Sequence, residues 1–536
     1  MKNEISTVKH PINIVAVVIV FISVVMLGAW LILKPDAAVE TIGAVQATSV
    51  KVLSPFFLWL GLGCFVYLLY FSFSKYGHIR FGNGKPEFKT FNWLVMMFCA
   101  GMGSSMMLWA VIEPLYYLTG PPQGAEPMSD QAYELAGTYG IFHWTFIAWT
   151  FFAVGAIPLC YRFYILKKPG LSLSAACEGV LGDKINGPIG KLIEIIVVFG
   201  ILGGHGTTLV LGIPMIQNNV ANLFGVPDTL ATGIVLIVIV TAMFMISSWL
   251  GLDKGMQNLS KWNAYFAIAL AVYFIVAGPA LFELNLFTNA MGYISNNFLQ
   301  MSLWTDPITQ GQFPEWWTAF YWAWWLALGP WMWIFTTRIS RGRTLKQVML
   351  GMVIAGSAGC MLYFGAIGGY TLDLQMGGQL DLVANLAANG QGQTITDVVL
   401  TLPAGQIVLF AWAVIAVIFL ATTLDSSSYT LAATTTIGLK QGENPATWFK
   451  LFWAVMLAVV PCSLLFAGAS LKAFQSMAIL TATPIALLTI IALIGGARWI
   501  FRDYSALSRD EIIKQEDAKI TMAVENFAVG KTLEQK

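Results

Sequence analysis

The sequence predicts an all-α membrane protein with twelve transmembrane helices. Three observations predict this: the composition, the length of the apolar segments and the distribution of the basic residues. Of 536 residues, 57% are hydrophobic and 11% are charged, whereas soluble domains carry about 25% charged residues. A chain with so few charges cannot cover a soluble globule with polar surface. The net charge of +1 gives no sign of a nucleic-acid-binding surface.

Apolar segments long enough to span a bilayer, about 20 residues each, recur along the whole chain. The first follows Lys2 and Lys9 and runs from Ile12 to Leu33. No cleavage site of small residues follows it, so it predicts a transmembrane helix rather than a signal peptide. The predicted spans begin near residues 12, 53, 92, 140, 190, 229, 262, 316, 349, 403, 447 and 475.

The basic residues alternate along the chain in a pattern that predicts the orientation. Three long loops contain no Lys or Arg: 119–139, 284–314 and 371–402. The other loops and the two tails contain all of the 29 basic residues except Lys34, Lys51 and Lys472. Loops rich in Lys and Arg stay on the cytoplasmic side of a membrane. The sequence therefore predicts both termini in the cytoplasm, in short tails over 1–11 and 503–536.

The third span contains a run of small residues, Cys99 to Ser105 (CAGMGSS). Glycines and serines weaken a helix and leave backbone carbonyls that other groups must satisfy. One interpretation is a broken helix whose free carbonyls line a substrate or ion site. The other is a surface of small residues for close helix packing. The motif alone favours neither.

The tenth span combines hydroxyls with a carboxylate, since it reads FLATTLDSSS from Phe419 to Ser428. Such polar side chains are costly inside a membrane unless they are used. Thr422 and Thr423 offer the oxygen ligands that a hard cation such as sodium prefers. Asp425 could pair with a basic group near the cytoplasmic mouth. The alternative is that the hydroxyls only bond back to their own helix.

The eighth span is rich in aromatic residues. One helix face is formed by residues at i, i+4, i+7 and i+11, namely Trp317, Tyr321, Trp324 and Leu328. Trp325 lies beside this face. A belt at the membrane surface explains tryptophans near the outer end, but Trp324 and Trp325 lie two turns deeper. Indole faces at that depth suit a cation without hydrogen-bond donors, such as a trimethylammonium group, although ordinary packing would explain any single tryptophan.

Several motifs occur together between about residues 12 and 500. The most specific stretch runs from Trp317 to Arg343 and contains YWAWW and RISRGR. Shorter motifs accompany it: Gly101-Met102-Gly103, Glu113-Pro114, and His143-Trp144 with Trp149. Together these stretches resemble the betaine/carnitine/choline transporter family. The resemblance implies secondary active transport of a small quaternary-ammonium compound across the cytoplasmic membrane, with no cofactor and with the substrate and the bilayer as partners.

The resemblance also implies a leucine-transporter-like core of two inverted five-helix repeats, and a homotrimer. The implied divisions are two additional helices with the first cytoplasmic loop (12–91), the first repeat with spans 3 to 7 (92–285), an extracytoplasmic loop (286–314) and the second repeat with spans 8 to 12 (315–502).

The resemblance implies a substrate site near the membrane midplane, between an aromatic box and the broken third span. The implied site residues are Trp144, Trp149, Trp324 and Trp325 in the box, with Met102 and Ser104 nearby. Two positions depart from the family pattern. Leu328 stands where many members have a further aromatic residue, and Ser105 replaces the last glycine of a Gly-x-Gly-x-Gly motif. The departures leave open which quaternary-ammonium compound is the substrate.

The coupling ion is also left open. In sodium-coupled members a cation site is formed by the residues that match Cys99, Met102, Phe419, Thr422 and Thr423. Thr207 and Thr208 of the fifth span could contribute to a second one. Met332 instead resembles the sodium-independent carnitine exchangers, in which a methionine sulfur takes an ion's role near the substrate carboxylate. Those exchangers also use an arginine in the first repeat, and this chain has none between Arg162 and Arg338. We therefore expect sodium-coupled uptake, with sodium-independent exchange as the alternative.

Three other classes of protein fit less well. A channel would need a ring of acidic or carbonyl motifs as a filter. A membrane enzyme would need more than the single His143 and His205, and the six cysteines form no C-x-x-C pair that would bind a metal. A transporter-like receptor would usually need an appended signalling domain. Substrate-dependent counterflow would distinguish a transporter from all three.

Overall fold

A computed structural model describes residues 10–251, 255–466, 471–519 and 521. Within these ranges the chain forms helices, and extended pairing is limited to two isolated β-bridges, Ile12 with Thr436 and Arg80 with Thr344. The predicted all-α class is therefore confirmed for the described part of the chain. Most of the predicted amino-terminal tail, 1–11, and the end of the predicted carboxyl-terminal tail lie outside the described residues.

The first part of the chain forms long helices, some of them divided into shorter segments by a bend. They are α1 (Ile14–Leu33), α2 (Pro35–Phe73), α3 (Thr90–Met102), α4 (Ser105–Thr119), α5 (Asp130–Trp144), α6 (Phe146–Val154), α7 (Ala156–Cys160), α8 (Leu173–Ala176), α9 (Glu178–Leu181), α10 (Pro188–Phe224), α11 (Leu230–Leu250), α12 (Gln257–Ala277) and α13 (Ala280–Leu303).

The second part begins with a π-helical turn, Pro314–Ala319, that leads directly into the next long helix. The helices are α14 (Phe320–Ile339), α15 (Leu345–Tyr363), α16 (Gly369–Met376), α17 (Leu382–Leu400), α18 (Gly405–Thr434), α19 (Thr447–Phe466) and α20 (Leu471–Tyr504). A second π-helical turn, Phe364–Gly368, joins α15 to α16.

All twelve predicted spans coincide with helix in the described residues. By length and apolarity, eight helices in this part of the chain qualify as membrane spans, or nine if the bent pair of α3 and α4 is one span. The number twelve therefore stays a prediction. The predicted loop over 286–314 is helical as far as Leu303, because Ala290, Ile294 and Met301 recur on one buried face of α13.

The third span is broken at its centre. This confirms the interpretation of its small residues as a broken helix. α3 and α4 differ in direction by 55°. Gly103, which follows α3, has φ 56° and ψ −162°, a backbone conformation that is essentially restricted to glycine. A Cβ atom on Gly103 would lie 2.7 Å from Oγ1 of Thr423 in α18. Gly103 is therefore required both for the break and for the close approach of α18.

Helices of the two predicted repeats pack against each other reciprocally. α14, which begins the second repeat, contacts α6 and α10 of the first repeat. α3, which begins the first repeat, contacts α15 and α18 of the second repeat. If the predicted repeats are correct, α6 corresponds to α15 and α10 to α18, and these are the contacts that two inverted repeats would make. The bounds of the repeats, 92–285 and 315–502, stay a prediction.

α14 lies at the centre of the protein. Every residue of this helix is buried, and it packs against α2, α6, α10, α18 and α20. A helix that is apolar on all sides is typically enclosed by other helices. The indoles of Trp324 and Trp325 therefore face protein, and a belt at the membrane surface does not explain them.

Candidate substrate and cation sites

The aromatic side chains of α14 form a stack. The ring centroids of Trp324 and Trp325 are 5.5 Å apart and their planes differ by 4°. Tyr321 stacks on both indoles, at 6.1 and 5.6 Å, because residues at i, i+3 and i+4 share one side of a helix. The Nε1 atom of Trp324 has no hydrogen-bond partner among the described residues. This indole N–H is therefore free to donate to a ligand.

α5 and α6 supply the other walls of an aromatic cluster. The ring of Trp144 lies 4.9 Å from that of Trp325, with an angle of 72° between their planes. Trp149 joins the cluster through Phe152, whose ring is 5.7 Å from both Trp149 and Trp325. The four predicted box tryptophans thus lie in one group, hereafter the aromatic cluster. Phe152 belongs to this cluster and was not found from the sequence.

Two glycines allow Trp149 to lie against the broken span. A Cβ atom on Gly356 of α15 would be 2.0 Å from Cδ2 of Trp149, and one on Gly101 of α3 would be 3.0 Å from its Cη2. The indole is therefore packed between α3 and α15. Since Gly101 lies two residues before Gly103, the aromatic cluster and the break are adjacent.

Ser104 and Ser105 begin the second half of the broken span. Ser104 is the N-cap of α4 and is fully buried, and its Oγ has no partner among the described residues. A Cβ atom on Gly212 of α10 would be 2.7 Å from this oxygen. A helix N-terminus presents unpaired N–H groups and favours negative charge. The free hydroxyl and the N-terminus of α4 are therefore suited to bind a carboxylate.

Oxygen atoms of α3 and α18 converge on the carbonyl oxygen of Cys99. The hydroxyls of Thr422 and Thr423 lie 3.5 and 3.2 Å from this atom. The Thr422 hydroxyl also lies 2.8 Å from the carbonyl oxygen of Phe419. Met102 is the buried last residue of α3, where the half-helix ends with partial negative charge. Four uncharged oxygens at such an end are suitable ligands for a hard monovalent cation.

Thr207 and Thr208 of α10 use their hydroxyls within their own helix. Each hydroxyl donates to the carbonyl four residues earlier, at 3.1 and 3.3 Å. The Cγ2 of Thr208 would be 3.7 Å from a Cβ atom on Gly103, so this side chain borders the break through its methyl group. A second cation site at these threonines stays a prediction.

Leu328 and Met332 continue the face of α14 that carries Trp324, at i+4 and i+8. Both side chains are buried. A Cβ atom on Gly204 of α10 would be 2.3 Å from Cδ2 of Leu328. Leu328 therefore fills the space between α10 and α14, at the position where many family members have an aromatic residue.

The buried carboxyl group of Glu113 contacts the aromatic cluster. Glu113 of α4 is fully buried, and its Oε2 accepts hydrogen bonds from Trp144 Nε1 at 2.8 Å and from the Tyr321 hydroxyl at 2.7 Å. In the sequence, Glu113 was noted only as part of the Glu113-Pro114 motif. A signal was present, however, because Glu113 is the only charged residue in α3 and α4, and a charge inside a span is costly unless it is used.

A bundle of apolar helices with a broken span at its centre is typical of secondary transporters, whose substrate sites are formed by discontinuous helices. Residues 13–504 match the family described as BCCT, betaine/carnitine/choline family transporter. The chain belongs to this family.

Three relatives show how the similarity extends over the chain. The uncharacterized transporter YeaV of Escherichia coli is 36% identical over 453 residues, which are 84% of this chain and 94% of YeaV. The carnitine transporter of Acinetobacter baumannii is 35% identical, with 83% and 81% of the two chains covered. The glycine betaine transporter OpuD of Bacillus subtilis is 34% identical, with 90% and 93% covered.

Proposed function

We propose that the protein takes up a small quaternary-ammonium compound together with sodium. The observation that carries the proposal is the position of the aromatic cluster directly beside the break in the third span. Two relatives are named as transporters of carnitine and of glycine betaine, which supports the same class of substrate. A betaine-like zwitterion fits best, because the indoles of the aromatic cluster suit a cation and the N-terminus of α4 suits a carboxylate.

The two ends of such a zwitterion match two different surfaces. A trimethylammonium group has a positive charge and no hydrogen-bond donor, so it is attracted by indole faces, by roughly 0.5–2 kcal/mol per ring. The carboxylate matches the free hydroxyl of Ser104 and the N-terminus of α4. Ser105, the first residue of α4, adds a second hydroxyl at the same helix end.

The test is uptake of labelled glycine betaine and of labelled carnitine into proteoliposomes. Uptake is compared with and without an inward sodium gradient, and with and without unlabelled substrate inside the vesicles. Symport predicts uptake that requires the sodium gradient and does not require internal substrate. If neither compound is taken up under any of the four conditions, the proposed function is wrong.

Sodium coupling is supported by four oxygens, which are the carbonyl oxygens of Cys99 and Phe419 and the hydroxyls of Thr422 and Thr423. Thr423→Val removes one hydroxyl and keeps the shape of the side chain. We expect the half-saturating sodium concentration for uptake to rise about tenfold or more, because loss of one charge-assisted contact weakens binding by about 1.5–3 kcal/mol. The maximal rate at saturating sodium should change less. Thr434→Val, at a buried hydroxyl near the end of the same helix, is the matched control, and an equal shift in both variants would contradict the cation site.

Sodium-independent exchange remains the second candidate because of Met332, which is fully buried in α14. Under symport, we expect Met332→Val to leave the half-saturating sodium concentration unchanged, because a methionine sulfur is a poor ligand for a hard cation. Under exchange, the same substitution alters the response of transport to sodium. Uptake at several sodium concentrations distinguishes the two mechanisms.

We further propose that both termini are cytoplasmic and that the protein is a homotrimer. Alternating access would follow from movement of one repeat against the other around a fixed site. Labelling of single cysteines placed in the loop between α4 and α5 (120–129) by a membrane-impermeant reagent in intact cells tests the orientation. Cross-linking in native membranes tests the trimer.

A further inference from the structure

Glu113 is connected to the aromatic cluster by direct hydrogen bonds. Its Oε2 accepts from Trp144 Nε1 and from the Tyr321 hydroxyl. The rings of both donors pack against Trp325, with centroid distances of 4.9 and 5.6 Å. The carboxylate is therefore separated from Trp325 by a single layer of rings.

Three hydrogen-bonding groups surround the carboxyl oxygens of Glu113. A protonated carboxyl group donates one hydrogen, whereas an ionised carboxylate only accepts. The indole N–H of Trp144 can only donate, and the hydroxyls of Tyr321 and Tyr117 lie at hydrogen-bonding distance from Oε2 and Oε1. An ionised carboxylate can accept a hydrogen bond from each of these three groups.

The hydrogen bonds continue from Tyr117 to His143 and Thr318. The Tyr117 hydroxyl lies 2.7 Å from Nδ1 of His143, and Nε2 of His143 lies 3.0 Å from Oγ1 of Thr318. A neutral His143 with its hydrogen on Nδ1 donates to Tyr117 and accepts from Thr318. The hydrogens of Thr318, His143 and Tyr117 that form these hydrogen bonds then all point toward Glu113. No positive charge on His143 is needed.

An ionised Glu113 has no fixed cation beside it in the described part of the chain. The only basic group there within 4.0 Å of the Glu113 carboxylate is His143, at 3.7 Å, and its hydrogen bonds are satisfied in the neutral form. A buried charge without a counter-charge is costly. A cationic ligand on the opposite side of the Trp144 and Tyr321 rings would reduce this cost.

We propose that Glu113 is ionised, and that it is a positioning residue and the counter-charge of the substrate's ammonium group. Its hydrogen bonds orient Trp144 and Tyr321, and its charge makes the aromatic cluster select cations over neutral groups of the same shape. This inference rests on the proposed function and deepens it, because it assigns part of the selectivity to the ligand's positive charge and not to its methyl groups alone.

The test compares glycine betaine with its carbon isostere, 3,3-dimethylbutanoate. The isostere has the same shape and the same carboxylate, but a neutral quaternary carbon replaces the nitrogen. Each compound is used unlabelled to inhibit uptake of labelled glycine betaine. In Glu113→Gln we expect the inhibition constant of glycine betaine to rise about tenfold or more, because a buried charge–charge attraction is lost. The constant of the isostere should change by less than about threefold.

Three variants serve as controls. Glu113→Asp keeps the charge and should retain most of the preference for glycine betaine. Tyr117→Phe removes one donor without a change in charge and should retain it as well. Glu126→Gln makes the same substitution at an exposed residue and should behave as wild type. If Glu113→Gln folds but does not transport, tryptophan fluorescence of the purified protein measures binding of the same two compounds. If it does not fold, Glu113→Met supplies the neutral side chain.

An equal loss for glycine betaine and for the isostere would overturn the proposal, because Glu113 would then have only a structural role. An unchanged preference would overturn it too. Both outcomes differ from failure of the proposed function, in which the wild-type protein itself takes up no quaternary-ammonium compound.

Discussion

Trp324→Leu is expected to lower the apparent affinity for the substrate about a hundredfold, with normal insertion into the membrane. The substitution removes one cation–π contact, worth about 0.5–2 kcal/mol. It also removes the ring that holds Tyr321 and Trp325 in their stack, so the contacts of these two rings with the cation weaken as well. A combined loss of about 2.7 kcal/mol corresponds to a hundredfold change in affinity. Uptake at a series of substrate concentrations measures the change in KM.

Trp316→Leu is the matched control. Trp316 lies in the π-helical turn that precedes α14, and its side chain is 51% exposed. We expect its replacement to leave KM within about twofold of wild type, since surface substitutions change free energies by about 0.5 kcal/mol or less. Trp324→Phe keeps an aromatic face and should fall between the two. An unchanged KM in Trp324→Leu would show that the aromatic cluster does not bind the substrate.

Much of the architecture could be predicted from the sequence because a membrane imposes strong local rules. A span needs about 20 apolar residues, so a short window of sequence suffices to find each helix. Loops rich in Lys and Arg lie on the cytoplasmic side, so the loop sequences predict the orientation. The same applies to the face of α14, because Tyr321, Trp324 and Leu328 follow the helical repeat. The third span shows the limit: small residues permit both a break and close packing. The positive φ of Gly103 decides for the break.

The contacts between distant helices could not be predicted in this way. Glu113 binds Trp144 and Tyr321, which are 31 and 208 residues away in the sequence, and no local pattern connects them. Phe152 was missed for the same reason, since its position in the aromatic cluster depends on how α6 packs against α14. The helix α13 was missed because polar residues such as Asn285, Asn289 and Asn296 interrupt its apolar residues, so it has no continuous apolar run. These features depend on tertiary packing and not on local periodicity.

Gly103→Ala is expected to reduce transport more than tenfold and to weaken the apparent affinity for sodium. Alanine at φ 56° and ψ −162° is strained by about 1–3 kcal/mol. Its Cβ would also lie 2.7 Å from the hydroxyl oxygen of Thr423, which must move. The strain is relieved if α3 continues as a regular helix, but the Cys99 carbonyl would then bond within α3 and no longer to α18. The break, the carboxylate-binding N-terminus of α4 and the cation site would be lost together.

Gly63→Ala in α2 is the control, because it shows what replacement of a helical glycine by alanine does to transport away from the break. A Cβ atom on Gly63 meets nothing within 4 Å, so alanine there should leave uptake and sodium dependence unchanged. Initial uptake rates at several sodium concentrations, together with thermal stability in detergent, measure both variants. If Gly103→Ala transports as well as Gly63→Ala, the broken span is not needed for function. If the Gly103→Ala protein is thermally stable but does not transport, the break is needed for binding and not for folding.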